Sequence, residues 1–303
     1  MKKTLVSIVG PTAVGKTSTA ISIAKQLNAE IISSDSRQFY KEISVGTAKP
    51  TELELNQIPH HFVNHLSIKE DYNASKFEKE VIDFLSNYFK KNDVAIMCGG
   101  SGMYVDAVLR GFDNEIPTAD EALRELLKKE YQEQGLSYLQ QRLLEIDPVA
   151  YKNTDIQNSK RLMRAIEICV LTGKTNAEVK KGIAKKRDFN IIQIGLELPR
   201  NLLYERINHR VDLMVAEGLL NEVKSVVSYK EKNALNTVGY KEVFNFLDGL
   251  TDWPLCVEKI KTNSRRYAKR QLTWFKRNDS IEWFSPTEIN KISKYIRTII
   301  EKP

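Results

Sequence analysis

The sequence predicts an α/β protein, a parallel sheet flanked by helices with an all-helical subdomain inserted into it. Three observations carry this. Short β-branched runs alternate with stretches of helical spacing at the start of the chain, a strand-like run returns at residue 190, and between them lies a long charged stretch of helical period without a strand signal. Taken in order, residues 3–9 form a β-branched run that breaks into a glycine-containing turn and then into a helix over 18–27. A second buried strand is expected at 30–34, ending in the polar cluster Ser33-Ser34-Asp35-Ser36. Apolar residues at 77, 81, 82, 84, 85, 88 and 89 give an amphipathic helix begun by a Ser or Asn cap in Asn73-Ala74-Ser75. Residues 94–97 form a third strand, broken by Gly99-Gly100-Ser101-Gly102. Helical stretches at 119–134 and 159–171 mark the insertion, residues 190–198 read as the returning strand, and everything after Pro199 reads as helix, punctuated by Gly218, Gly239 and Pro254. The expected division is a first part of the core over 1–113, a helical insertion over 114–188 and a completing segment over 189–303.

Composition narrows the function classes. With 303 residues, 42% hydrophobic and 28% charged, the chain has the make-up of a globular protein with a sizeable core. No run approaches the roughly 18 apolar residues of a spanning helix, so no membrane is expected. Cys98, Cys169 and Cys256 lie far apart, suggesting neither a disulfide framework nor a zinc site, and a cytoplasmic location is expected. No coiled-coil heptad speaks against a monomer. The net charge of +7 points to a polyanionic partner, and residues 258–277 alone carry eight basic residues against Glu258. Tyr267 and Trp274 are seven apart within this run, hence on one face, and read as core residues rather than platforms for bases. The basic run 180–187 reads as a solvated connector.

The chemistry is concentrated in a few motifs. Gly10-Pro11-Thr12-Ala13-Val14-Gly15-Lys16-Thr17 matches the P-loop pattern between a predicted strand and a predicted helix, so the expected core is P-loop NTPase-like. Such a loop curls backbone N–H groups around a di- or triphosphate, with Lys16 neutralising charge and the Thr17 hydroxyl available to Mg²⁺. Nucleotide hydrolases usually end a further strand in an acid that holds the metal, but here the third strand ends in Cys98-Gly99-Gly100. Asp35 is the acid placed to face the loop. Ser36, Arg37, Gln38 and Tyr40 follow it with amide and stacking groups suited to a base, which makes Asp35 a candidate general base for a nucleobase amine. His60, His61 and His65 have no Cys or Asp at ligand spacing and read as structural.

These motifs occur together with Asp35-Ser36-Arg37-Gln38-Phe39-Tyr40, Gly46-Thr47-Ala48-Lys49-Pro50, Gly99-Gly100-Ser101-Gly102-Met103-Tyr104, Arg161-Leu162-Met163-Arg164-Ala165, Val238-Gly239-Tyr240-Lys241-Glu242 and Lys269-Arg270-Gln271-Leu272-Thr273-Trp274. In this order, from residue 3 to about residue 285, the chain resembles the tRNA dimethylallyltransferases. The resemblance implies that residues 10–17 bind the diphosphate of dimethylallyl diphosphate, with Mg²⁺ on Thr17, and that the acceptor is N6 of the adenosine 3′-adjacent to the anticodon, position 37 of tRNA. Asp35 would take the N6 proton, Gln38 would help hold the adenine, and Ser101, where the family usually has threonine, would bond either the base or the diphosphate. Arg206 and Arg210 resemble residues of a helix that closes over the diphosphate. Ser36, Arg37, Arg161, Leu162, Met163, Arg164, Gly239, Tyr240, Lys241, Lys269 and Arg270 fall on motifs that meet the tRNA, as does Lys160, which replaces the more usual glutamine. The implied partners are the tRNA anticodon stem-loop, which core and insertion would clasp, and dimethylallyl diphosphate. Two other readings stay open on the motifs alone. A nucleoside or small-molecule kinase would bind ATP in the same loop with Asp35 activating a hydroxyl, but leaves the basic run without a role. An RNA-binding ATP switch would need the missing acid after the third strand.

Overall fold

The computed structural model describes residues 2–111, 116–117, 120–181 and 184–301. The expected boundary between 113 and 114 and residue 119, the expected start of the insertion's first helix, lie outside them. Six strands, β1 (Thr4–Val9), β2 (Ile31–Ser33), β3 (His60–His61), β4 (Val94–Gly99), β5 (Asn190–Leu196) and β6 (Glu282–Phe284), form one sheet in the order β3-β2-β4-β1-β5-β6. Every pairing is parallel. A parallel sheet is covered on both faces, which is why its central strands read as mostly apolar runs, interrupted by Ser7 in β1 and Gln193 in β5. All six residues of β1 are buried, with Leu5 and Val9 in one core and Val6 and Ile8 in the other.

Register sets the site. Val9 stands opposite Gly99 of β4 and Gly195 of β5, so the loops that leave β1 and β4 emerge at one level of the carboxyl edge. Ser33 pairs with Cys98, which brings the loop after β2 to the same edge. The crowding there explains Gly99: a Cβ at that position would lie 2.3 Å from Ser34 Oγ and 2.5 Å from the Ser34 carbonyl carbon. Gly99→Ala is therefore expected to destabilise the fold by about 1–3 kcal/mol, read as a lower denaturant midpoint at unchanged slope.

The expectation that everything beyond Pro199 is helical fails at β6. Trp283 of this three-residue edge strand packs on Gly195, where an added Cβ would come within 2.5 Å of its ring, so tertiary packing and not local pattern makes the strand. Likewise the histidines at 60 and 61 form β3. His60 Nδ1 donates to the Ile58 carbonyl at 2.8 Å and His61 Nε2 meets the Glu30 carboxylate at 2.6 Å. His65 packs among the rings of Phe39, Phe62 and Tyr72.

The chain folds as two compact units, one of residues 1–109 and 187–303, the other of residues 110–186. The second unit is helical. Its long helix Glu121–Ile146 is broken at Gly135, whose φ of 79° is left-handed, and extends well beyond the stretch expected from periodicity. Helix Ser159–Thr172 is capped by Asn158 and ended by Gly173. Leu127, Leu139, Leu143, Leu162 and Ile166 form this unit's core. Three members of the Arg161–Ala165 motif thus face inward: Leu162 and Ala165 are buried in the core and Met163, partly buried, packs against it, so the Leu162 side chain holds the helix and does not present itself to RNA.

Candidate active site

The phosphate cradle follows from local backbone chemistry. Gly10 has φ 151° and Gly15, capping the helix Lys16–Leu27, has φ 109°, conformations that L side chains avoid. Lys16 folds back to donate to the Pro11 carbonyl at 2.7 Å. Burial strips water from its ammonium and lowers its pKa to about 8, with Arg210 adding repulsion and Asp35 opposing the shift. Arg210, on helix Arg200–Ala216, donates to Thr12 Oγ1 at 3.1 Å and to the Thr47 carbonyl at 3.4 Å. Its Nε is buried with no hydrogen-bond partner among the described residues, and burial pushes its pKa down. Two desolvated cations beside a helix N-terminus are an arrangement whose charge a bound anion would offset.

A cleft of about 790 Å³ opens over this cradle, bordered by Lys16, Thr17, Asp35, Gln38, Arg206 and Arg210. Beside it lies a small pocket of about 80 Å³ that Asp35 and Arg210 share with apolar Ile207, Val211, Met214, Val238 and Ile260. A third opening, about 460 Å³, is bordered by Ser36, Ser101, Tyr104, Tyr267, Arg270 and Trp274. Asp35 borders the first two, Gln271 the first and third, and Tyr267 all three. The phosphate cradle and a more exposed, aromatic and basic mouth therefore meet at a few shared residues.

Asp35 Oδ1 accepts from the Arg37 N–H at 3.1 Å, and no described residue donates to its other oxygen. Ser101 Oγ accepts from the Ser36 N–H and donates to Ser36 Oγ, each at 3.0 Å, tying the β4 loop to the β2 loop. The Gln38 amide is occupied: Nε2 donates to the Thr47 and Ala48 carbonyls and Oε1 accepts from Ser33. Arg37 likewise spends its guanidinium on the carbonyls of Asn233, Ala234 and Asn236, so it anchors a loop and is not held out toward a ligand. Burial drives the Cys98 thiol up to about 12, leaving a neutral group where a metal-binding acid stands in other P-loop proteins.

The remaining sequence candidates divide. Lys160, Arg161, Lys241, Lys269 and Arg270 are exposed. Arg164 turns onto buried Glu167 at 2.6 Å, and Arg161 pairs with Asp155 at 3.3 Å. Tyr240 is completely buried and donates to Glu222, so its side chain does not reach the surface. Trp274 corrects the opposite expectation. It is 40% exposed, its indole N–H donates to Asp106 at 2.9 Å, and its ring covers Gly102, where a Cβ would lie 2.4 Å away. Tyr267 is half-buried at the junction of the openings rather than in the core.

Sequence reasoning quoted Gln271 as a motif letter but missed what it does. Its Oε1 accepts from the Thr12 N–H at 2.8 Å and its Nε2 donates to the Gly100 carbonyl at 2.9 Å, so one buried amide links the phosphate loop to the β4 loop. Only a buried amide among the exposed cations Lys269, Arg270, Lys276 and Arg277 marks it.

A family model described as IPP transferase matches residues 38–278. The tRNA dimethylallyltransferase 1 of Bacteroides fragilis (strain YCH46) is 47% identical over 299 residues, covering 99% of each chain. A crystal structure of the full-length tRNA isopentenylpyrophosphate transferase of Bacillus halodurans superposes with a TM-score of 0.74 at 36% identity, covering 99% of this chain and 97% of that one. A eukaryotic dimethylallyltransferase, solved acting on tRNA, superposes with a TM-score of 0.80 at 27% identity, covering 98% of this chain and 78% of that one. With a P-loop cradle and an acid-bearing β2 loop meeting at one sheet edge, and with these matches running nearly its whole length, the chain belongs to the IPP transferase family.

Proposed function

We propose that the protein transfers a dimethylallyl group from dimethylallyl diphosphate to N6 of the adenosine 3′-adjacent to the anticodon, position 37, of tRNAs, releasing pyrophosphate. The observation that carries this reading is the place of Asp35, bordering both the cleft over the phosphate loop and the apolar pocket beside it, one residue from the mouth at Ser36. In this reading residues 10–17, Arg206 and Arg210 bind the diphosphate, and the small pocket of Ile207, Val211, Met214, Val238 and Ile260 takes the five-carbon chain. The adenine leaves its stack and enters from the side of Ser101 and Tyr267. The N6 lone pair attacks the allylic carbon, the carbon–oxygen bond breaks with its electron pair going to the diphosphate, and Asp35 takes the N6 proton. Because Gln38 already bonds the Thr47 and Ala48 carbonyls, holding the base would fall to the remaining faces of its amide or require it to exchange partners.

Among the described residues no group of three His, Cys, Asp or Glu could hold a metal. The Thr17 hydroxyl at the cleft is the oxygen donor that would hold Mg²⁺, a cation that keeps most of its other positions for phosphate oxygens and water. When bound, the ion would stabilise charge on the leaving pyrophosphate. A tRNA substrate favours a cytoplasmic location.

Each unit by itself offers exposed basic residues to RNA: the outer face of helix Trp253–Phe275 in the first, and in the second Lys160 and Arg161, the latter paired to Asp155. Within the basic run, Lys261 and Lys276 are paired to Asp212 and Glu197, and Arg265 bonds Asn208. Of the five that remain, Lys259, Arg266, Lys269, Arg270 and Arg277, the phosphate contacts are assigned to the exposed neighbours Arg266, Lys269 and Arg270, the last of which borders the mouth. Replacing these three by glutamine is expected to weaken tRNA binding and to flatten its dependence on salt by about one unit of log–log slope per lost contact. Affinities measured across a salt series check this, and an unchanged slope would return the run to a solvated face.

The function itself is tested by incubating the protein with Mg²⁺, unmodified tRNA bearing adenosine after the anticodon, and dimethylallyl diphosphate or ATP, then weighing the nucleosides. Gain of one isoprenyl unit on adenosine, with the prenyl donor alone, is the expected result. Loss of ATP without change in the RNA would favour a kinase.

A further inference from the structure

Outside the groups that meet ligand in the proposed reaction, one carboxylate collects an unusual number of donors. Glu222, on the short helix Leu219–Ser225, accepts from the backbone N–H groups of Ser44 at 2.6 Å, Val45 at 2.8 Å and Gly46 at 2.9 Å, and from the Tyr240 hydroxyl at 2.5 Å. Three successive N–H groups converging on one point make a nest, the backbone geometry that binds anions, and here the protein fills it with its own anion. The turn they belong to is tight: a 3-10 turn over Val45–Thr47, then Ala48 in the left-handed region at φ 43°. It sits directly on Tyr240, since a Cβ at Gly46 would come within 2.6 Å of the tyrosine ring.

What the turn presents on its other side gives the nest its consequence. The Thr47 carbonyl receives Arg210 Nη2 at 3.4 Å, and the Thr47 and Ala48 carbonyls receive Gln38 Nε2 at 3.5 and 3.2 Å. Arg210 and Gln38 both border the main cleft with Asp35. Glu222 also follows the helix Arg200–Ala216 in the chain, so a single carboxylate ties the segment beyond that arginine-bearing helix to the loop on which the arginine is aimed. Neither Arg210 contact is a short bond, so the aim of the guanidinium depends on where the turn is held.

We propose that Glu222 is a positioning residue for donor binding: it fixes the 44–48 turn, whose carbonyls orient Arg210 and Gln38 at the cleft. This role presupposes that Arg210 meets a diphosphate, as in the function proposed above. It explains why Gly46-Thr47-Ala48-Lys49 and Gly239-Tyr240 occur in one chain, since they are two sides of one contact. Glu222 itself belongs to neither motif, and touches neither the cleft over the phosphate loop nor the pocket beside it.

The test is a double-substitution cycle on the affinity for inorganic pyrophosphate in Mg²⁺, by calorimetry on the full chain. Glu222→Gln keeps the side chain's shape and replaces one accepting oxygen by an NH₂ that opposes a backbone N–H. It is expected to weaken binding about tenfold, the size of coupling expected between groups in one network. In an Arg210→Ala background the same change should cost nothing further, because the group through which it acts is gone. Losses that multiply in the double variant, or a Glu222→Gln protein that binds like the unsubstituted one, overturn the role. A fold defect alone would lower the melting temperature in both backgrounds and leave the losses multiplicative. Should Glu222→Gln fail to fold, Tyr240→Phe removes one of the four donors and keeps the carboxylate: a several-fold loss that vanishes with Arg210→Ala supports the role, and no loss overturns it. An unsubstituted protein that transfers no dimethylallyl group and binds no pyrophosphate fails the function and this role together, whereas a working protein with multiplicative losses fails the role alone.

Discussion

Replacing Asp35 by asparagine is expected to slow transfer at saturating substrates by roughly 10²–10⁴-fold, the usual worth of a positioned general base, while tRNA and pyrophosphate bind almost as before. Asparagine keeps the shape of the side chain and an oxygen to accept the Arg37 N–H, so the turn after β2 stays in place. What it loses is the basicity of the carboxylate beside the cleft. The exocyclic amine of adenine is a poor nucleophile whose proton must go somewhere as the new carbon–nitrogen bond forms, and among the described residues no other carboxylate borders both the cleft and the apolar pocket. Single-turnover measurements, with product nucleoside quantified by mass, separate this from a binding defect. A rate within tenfold of the unsubstituted protein would remove Asp35 as the base and turn attention to the Ser36–Ser101 pair, which borders the mouth.

Much of this site was legible because its parts are local. A P-loop is a strand, a glycine turn and a helix in one stretch, and the acid after β2 follows a run short enough to read by eye. The parallel sheet and the helical character of the middle segment were legible for the same reason, since each is a matter of period and composition. What escaped were effects of distance along the chain. The bonds from Gln271 to Thr12 and Gly100 span 259 and 171 residues, and those from Glu222 to residues 44–46 span 176 to 178. Nothing in either neighbourhood marks the partner. Strands β3 and β6, of two and three residues, are too brief to carry a period and exist because a neighbouring strand offers them an edge. Trp274 was misread for a subtler reason. Seven-residue spacing correctly puts it on the helix face of Tyr267, but that face borders openings and not the core. Periodicity tells which residues share a side and is silent on what that side meets.

The second large effect is expected at Lys16, and it separates activity from stability. Lys16→Met keeps an unbranched side chain, one heavy atom shorter, and removes the charge. Transfer should fall by roughly 10²–10³-fold, as when a preorganised group facing developing negative charge is deleted. The charge that matters develops on the diphosphate oxygens as the allylic bond breaks, so the loss should fall mainly on the rate of the bound complex. Without ligand the balance has the opposite sign. Burial already lowers the pKa of Lys16 to about 8, and the nearby Arg210 works in the same direction, so the free protein holds a cation it is poorly equipped to solvate. Removing that cation should leave the melting temperature unchanged or raise it, because the penalty of burying an uncompensated charge disappears with it. Pyrophosphate, which should stabilise the unsubstituted protein against heat through its binding energy, should stabilise Lys16→Met much less. A melting temperature lowered by several degrees would show that the bond to the Pro11 carbonyl holds the loop together, and a transfer rate within tenfold would show that the ammonium does not face the leaving group. Either result would move the stabilisation of the diphosphate to Arg206 and Arg210, whose side chains approach the same loop from helix Arg200–Ala216.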